Sequence, residues 1–217
     1  MALIRSVFQD ELDNVSQSLV DLTAMVATSM QNATTSILTS DLKLAEEVIA
    51  SDEKIDEIQH DSDSRVIDII ARQQPVASDL RALVTALRIG SDLERMGDLA
   101  HHVAKIARLR HPNAAIPAEL VEIVHAMGDA AVRITQKTGV VIATRDTEMA
   151  LEVERDDDEM DALHRKLISA LIEPTWKYGI ETAIDLTLLG RYYERYADHA
   201  VSVSRRVYFL VTGKFAS

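Results

Sequence analysis

Glu94-Arg95-Met96-Gly97-Asp98-Leu99-Ala100 returns one hundred residues later as Glu194-Arg195-Tyr196-Ala197-Asp198-His199-Ala200. The match extends outward, because Gly90 and Val103 land on Gly190 and Val203 under the same shift. Further upstream the shift becomes 105: Asp41, Ala45, Val48, Asp52 and Asp56 land on Asp146, Ala150, Val153, Asp157 and Asp161. An internal repeat organises everything else in a chain, so it is read before any motif. The difference of five is expected in the turn between the second and third helix of each half, where a length change costs little.

The repeated unit is helical. Only 7 Gly and 4 Pro occur in 217 residues, too few for hairpin turns at short intervals. Leu12, Val15, Leu19, Leu22, Val26 and Met30 step by three and four, the spacing of one helix face. Leu44, Val48, Ile55, Ile58, Val66 and Ile69 form a second stripe, and Leu80, Leu83, Leu87, Leu93, Met96, Ala100 and Val103 a third. The breaks fall at Thr39-Ser40-Asp41, a capping cluster, and at Pro75. After the linker 111–117 the pattern resumes over 117–144, 146–172 and 177–211, with breaks at Thr144-Arg145-Asp146 and Pro174. Six helices of roughly 25–35 residues follow. The predicted fold is all-α: two tandem, sequence-related, antiparallel three-helix bundles, 1–110 and 118–217, joined by 111–117.

Composition removes whole classes of function. With 23 basic and 35 acidic side chains the net charge is −12, which argues against sequence-independent nucleic-acid binding and favours cations or basic partner surfaces. There is no cysteine, so disulfides, thiolate metal sites and cysteine nucleophiles are excluded. No secretory signal is visible and no run reaches the length of a membrane span. The expectation is a cytoplasmic protein that meets membranes only through partners.

The repeat preserves four acidic pairs at i, i+4: Asp52/Asp56, Glu94/Asp98, Asp157/Asp161 and Glu194/Asp198. Each projects from one side of its helix, roughly 5–6 Å apart at Cβ, and costs about 0.2–0.5 kcal/mol if uncompensated. A hard cation held by carboxylate oxygens would compensate, and two neighbouring helices supply four carboxylates per half. The spacing alone is weak: 35 acids yield roughly five or six such pairs by chance, and ten are present. Most such pairs are simply solvated helix faces. Coincidence under the repeat is what separates these four from the rest. Arg95 and Arg195 are alternative neutralising partners, but adjacent positions point about 100° apart on a helix and pair loosely. The third helix carries apolar residues on two faces: one for its own bundle, the other for the second half or a second subunit.

These residues carry a resemblance. The doubled Glu-Arg-x-x-Asp segments, the Asp-x-x-x-Asp upstream of each, and the ending Val207-Tyr208-Phe209-Leu210-Val211-Thr212-Gly213-Lys214 look like the PhoU family of phosphate-uptake regulators. The resemblance covers nearly the whole chain. It implies two similar three-helix bundles whose acidic motifs bind metal ions, including multinuclear iron clusters in some members. Carried over, the ligands are Asp52, Asp56, Glu94, Asp98, Asp157, Asp161, Glu194 and Asp198. Iron, manganese, magnesium and zinc are all open. It further implies a cytoplasmic negative regulator, not an enzyme. Such a regulator couples a phosphate ABC transporter to a sensor histidine kinase, and commonly works as a homodimer.

Three rival readings come from the same residues. A ferritin-like di-iron enzyme uses Glu-x-x-His on two helices, and Glu57…His60 and Glu122…His125 fit that spacing. The repeat does not support them, since His60 maps to Arg165. A histidine phosphotransfer domain would use His164, His101 or His102. A helical adaptor without metal would use the acids for basic partner surfaces or solubility. Trp176 is expected to plug the core, and Tyr192, Tyr193 and Tyr196 to pack the bundle end.

Overall fold

The repeat is written into the backbone. A computed structural model describes residues 2–214, and side chains from residue 8 to 214. Ser40 and Arg145, equivalent under the 105-residue shift, both adopt left-handed backbone, with φ of 54° and 57°. An aspartate follows each. The Asp41 carboxylate accepts from the Leu44 N–H at 3.0 Å, and Asp146 accepts from the Glu148 and Met149 N–H groups at 2.9 and 3.0 Å. Each satisfies donors that a first helical turn leaves unpaired.

Six long helices result: α1 (Ala2–Thr39), α2 (Leu42–Gln73), α3 (Ala77–Arg110), α4 (Val121–Thr144), α5 (Thr147–Leu171) and α6 (Gly179–Thr212). No strand occurs among the described residues, as the all-α expectation requires. Two boundaries differ from the sequence reading. The chain enters α4 through one 3₁₀ turn, Ala118–Leu120, and α6 begins at Gly179, whose φ is +82°. The five-residue difference between the halves is not confined to the turn. It comes mainly from α5, which has 25 residues against 32 in α2, while the turn after α5 is the longer one. Pro174 arrives earlier in its half than Pro75 does, and it bars the helical conformation for the residue before it.

Helices α1, α2 and α3 pack together, as do α4, α5 and α6. The halves then lie against each other through α1 on α4 and α3 on α6. Arg110 pairs with Glu181 and Asp185, while Arg81 stands over the Phe209 ring, so α3 and α6 run antiparallel. The second apolar face of α3 therefore meets the second half of the same chain. Val26, Met30, Leu93, Met96, Val103, Met127 and Leu189 are fully buried in one continuous core that crosses the boundary. Each such side chain contributes about 1.5–3 kcal/mol by leaving water.

The tyrosines correct an expectation. Tyr193 and Tyr196 are fully buried between the halves, not at a bundle end. Thr34 gives its proton to the Met30 carbonyl, so the Tyr193 hydroxyl donates to Thr34 Oγ1 at 2.7 Å. Tyr196 donates to the Val26 carbonyl at 3.0 Å and accepts from Thr135 at 3.1 Å. Burial pushes both phenols well above their ordinary range. Long apolar rings with one polar tip suit a helix junction where α1, α4 and α6 converge. Trp176 is only half-buried at the edge of the core, its indole N–H donating to the Gly179 carbonyl at 2.8 Å.

Candidate functional site: two carboxylate clusters

Packing of α2 on α3 brings Asp52, Asp56, Glu94 and Asp98 into one neighbourhood. Burial raises the Asp56 carboxyl above its ordinary value, and the charges of Asp52 and Asp98 raise it further. Burial likewise raises Glu94, with help from Asp98, Asp56 and Asp52. Packing of α5 on α6 does the same for Asp157, Asp161, Glu194 and Asp198. Burial pushes Asp157 up to about 6, reinforced by the charges of Asp198, Asp161 and Glu194. Each half therefore assembles the four acids that the repeat singled out. Asp56 and Asp198 are exposed, and the other six are partly buried.

The clusters are already partly neutralised. Arg95 bonds Asp98 at 2.8 Å and meets Glu94 only loosely, at 3.5 Å, as adjacency predicted. In the second half that role passes from Arg195 to Arg191, which pairs with Glu194 from the preceding turn. Arg165 reaches Asp161 at 3.8 Å. His101 holds Asp52 through Nδ1. Sequence reading missed His101 as a member of the first cluster. It lies three residues past Asp98, on the same helix face, but its counterpart at 201 is valine, so a search guided by the repeat discards it. The other carboxylate oxygen, Asp52 Oδ1, is buried without a hydrogen-bond partner, and so is His101 Nε2. Gly97 opens this corner: a Cβ there would lie 3.6 Å from Asp52 Oδ1 and 3.1 Å from Ile55.

The donor set fits a hard cation in kind, being carboxylate oxygens with one orphaned in the interior. Among the described residues, however, no three acids or imidazoles stand together at ligating distance. An ion would have to compete with Arg95, Arg191 and His101 for the same oxygens.

The rival constellations are not assembled. Glu57 and His60 are exposed on α2, and Glu122 and His125 are exposed on α4, where His125 pairs with Asp129 at 3.0 Å. None faces a bundle interior, as di-iron ligands must. His164 packs beneath Gly190, and His102 stacks beside Tyr192 at 5.2 Å between ring centroids.

One further cluster lies across the halves. Asp92 on α3 accepts from Arg206 at 2.8 Å and meets His199 Nδ1 at 3.0 Å, both on α6. Burial alone would raise the Asp92 carboxyl, but these two partners outweigh it and hold the group below its ordinary value.

Fold and site together define a class: duplicated helical proteins that gather carboxylates twice, once in each half. The comparisons narrow it. The PhoU domain profile matches residues 19–107 and again 124–207, one match to each half of the repeat. The chain belongs to the PhoU family. It is 42% identical over 212 residues to the Mycobacterium tuberculosis protein named phosphate-specific transport system accessory protein PhoU homolog 2, covering 98% of this chain and 100% of that one. It is equally identical to a Mycobacterium leprae protein named PhoU homolog 1, over 98% of this chain and 96% of that one. Among solved structures, PhoU from Pseudomonas aeruginosa superposes with a TM-score of 0.84 at 27% identity, over 95% of this chain and all of that one. PhoU from Streptococcus pneumoniae gives 0.87 at 24% identity, over 97% and 99%.

Proposed function

We propose that this protein is a regulatory accessory of a phosphate-specific transport system. It acts from the cytoplasm to hold the phosphate-starvation response off when phosphate is plentiful. The observation that carries the reading is the full-length match to a relative named for that system. An adaptor of this kind needs surfaces and not a reaction centre. Six long helices supply them, and among the described residues none is long and apolar enough to cross a membrane. Its partners in this reading are a phosphate ABC transporter and a sensor histidine kinase. The test is deletion in the native host grown in high phosphate. Starvation genes should be expressed in the deletion strain and silenced again by the restored chain; repression unchanged by the deletion would overturn the reading.

Metal binding belongs to the same proposal. Asp52, Asp56, Glu94 and Asp98 would hold ions in the first half, and Asp157, Asp161, Glu194 and Asp198 in the second. A bound cation would neutralise carboxylates that now repel one another. Elemental mass spectrometry on the purified untagged protein should find metal. The variant with alanine at 94, 98, 194 and 198 should have lost it. A second reading, an adaptor without metal, is favoured by the arginines and His101 already seated on the acids. Absence of metal from both proteins would select it.

A further inference from the structure

Between the start of α3 and the end of α6 runs an open groove of about 580 Å³. Its floor is apolar. Leu80 and Val84 are 38% and 37% exposed. At i and i+4 they lie on one face of α3. Phe209 closes the far wall.

The rim is basic. Arg81 and Arg88 flank the stripe on α3, and Arg205 and Arg206 face them from α6. The latter two are engaged by Glu154 and Asp92. Arg81 lies over the Phe209 ring at 5.7 Å, and no carboxylate pairs with either Arg81 or Arg88 among the described residues. Two uncompensated cations beside an exposed apolar stripe stand out on a chain of net charge −12. The repeat does not require them: under the 100-residue shift Leu80 and Val84 become Ile180 and Ile184, but Arg81 becomes Glu181 and Arg88 becomes Leu188. The two α3 arginines, Arg81 and Arg88, belong to this end alone.

We infer that this groove docks an acidic amphipathic helix of another protein, its apolar face on Leu80, Val84 and Phe209 and its carboxylates on Arg81 and Arg88. The dimensions fit. Residues 77–88 of α3 line the groove and span about 16 Å at 1.5 Å per residue, three turns of a helix laid alongside. Helix-in-groove recognition reads apolar anchors at i, i+3/i+4 and i+7, with charge on the rim setting partner choice. Arginine beside an apolar floor is the composition that interfaces favour. A small anion is a poorer occupant, because the groove is open and the Arg81 and Arg88 side chains are exposed.

The test is selection from a displayed library of three-turn helical peptides on the intact protein. Recovered peptides are then synthesised and titrated by fluorescence anisotropy, with no metal or phosphate added. The binding is thus independent of the phosphate-regulation reading and fails or succeeds separately from it. Enriched sequences should carry Asp or Glu flanking apolar residues at helical spacing. Their affinity should fall between about 50 and about 500 mM salt. Arg81→Glu with Arg88→Glu should weaken binding by about tenfold or more, with helical content unchanged by circular dichroism. The milder pair Arg81→Gln and Arg88→Gln should fall between. The inference is overturned if nothing is enriched, if the enriched peptides lack acids, or if they bind the charge-reversed variant equally well. It is overturned equally if sedimentation shows that the charge reversal turns a dimer into a monomer, because the groove would then belong to a second copy.

Discussion

Asp157 concentrates the electrostatics of the second cluster. Burial and four neighbouring carboxylates move its pKa from the ordinary 3.8 to about 6. A carboxyl whose pKa rises on folding holds its proton longer in the native state than in the unfolded chain. Stability at this site is therefore gained as the pH falls from 7 through 6 towards 4, and lost on the way back up. Asp157→Asn should raise stability at pH 7 by on the order of 1 kcal/mol after solvent screening and flatten the gain on acidification. Denaturant melts at pH 7 and pH 5 measure both. A ¹³C titration of the Asp157 carboxyl in chelator-treated protein should find a midpoint near 6; a midpoint near 4 would mean that the acids do not feel one another. Asp92 has the opposite sign. Its pKa is lowered by His199 and Arg206, so its contribution is present above the ordinary carboxylate range and is lost as the pH falls through it. The eight acids were legible because the repeat marks them. Of their cationic partners only Arg95 was legible, since Arg191 and His101 reach their acids through side-chain conformation and cross-helix packing, which leave no periodic trace.

At the scale of the elements, α1 and α4 approach unusually closely at Gly128. A Cβ there would lie 2.4 Å from Thr34 Cγ2 and 2.7 Å from its Oγ1. In an open helix Gly→Ala gains about 1 kcal/mol. Here the clash reverses the sign, because overpacking costs about 1–3 kcal/mol and Thr34 is tied to Met30 and Tyr193. Gly128→Ala should lower the melting temperature by a few degrees, at about 2–4 °C per kcal/mol for a chain of this size. Thr34→Ser, which removes the obstructing methyl, should recover part of the loss. A higher melting temperature for Gly128→Ala alone would count against the close approach. Helix existence and the paired caps were readable from periodicity and from Asp41 and Asp146. The early end of α5 was signalled by Pro174 but credited to the turn. Which face of α3 meets α6 was undetermined, because Leu83, Ile89, Met96 and Val103 are equally apolar whichever neighbour buries them.

For the whole molecule, the core that crosses the boundary predicts one cooperative unit. Calorimetry should show a single transition whose van't Hoff and calorimetric enthalpies agree; two resolved transitions would make the halves independent. The 111–117 segment is then a tether and not a hinge. Protein cleaved there by an inserted protease site should elute as one body, since the α1–α4 and α3–α6 contacts remain. Those contacts have a pattern with a history in it. The first helix meets its own counterpart, the fourth, and the third meets the sixth. Self-matching contact is what two identical chains make across a two-fold axis. The layout is that of a dimer of half-length chains whose genes were fused. Fusion turns a concentration-dependent encounter into a permanent one. It also releases each copy from having to match the other, which is the freedom that allowed an arginine at 81 where its twin at 181 is a glutamate.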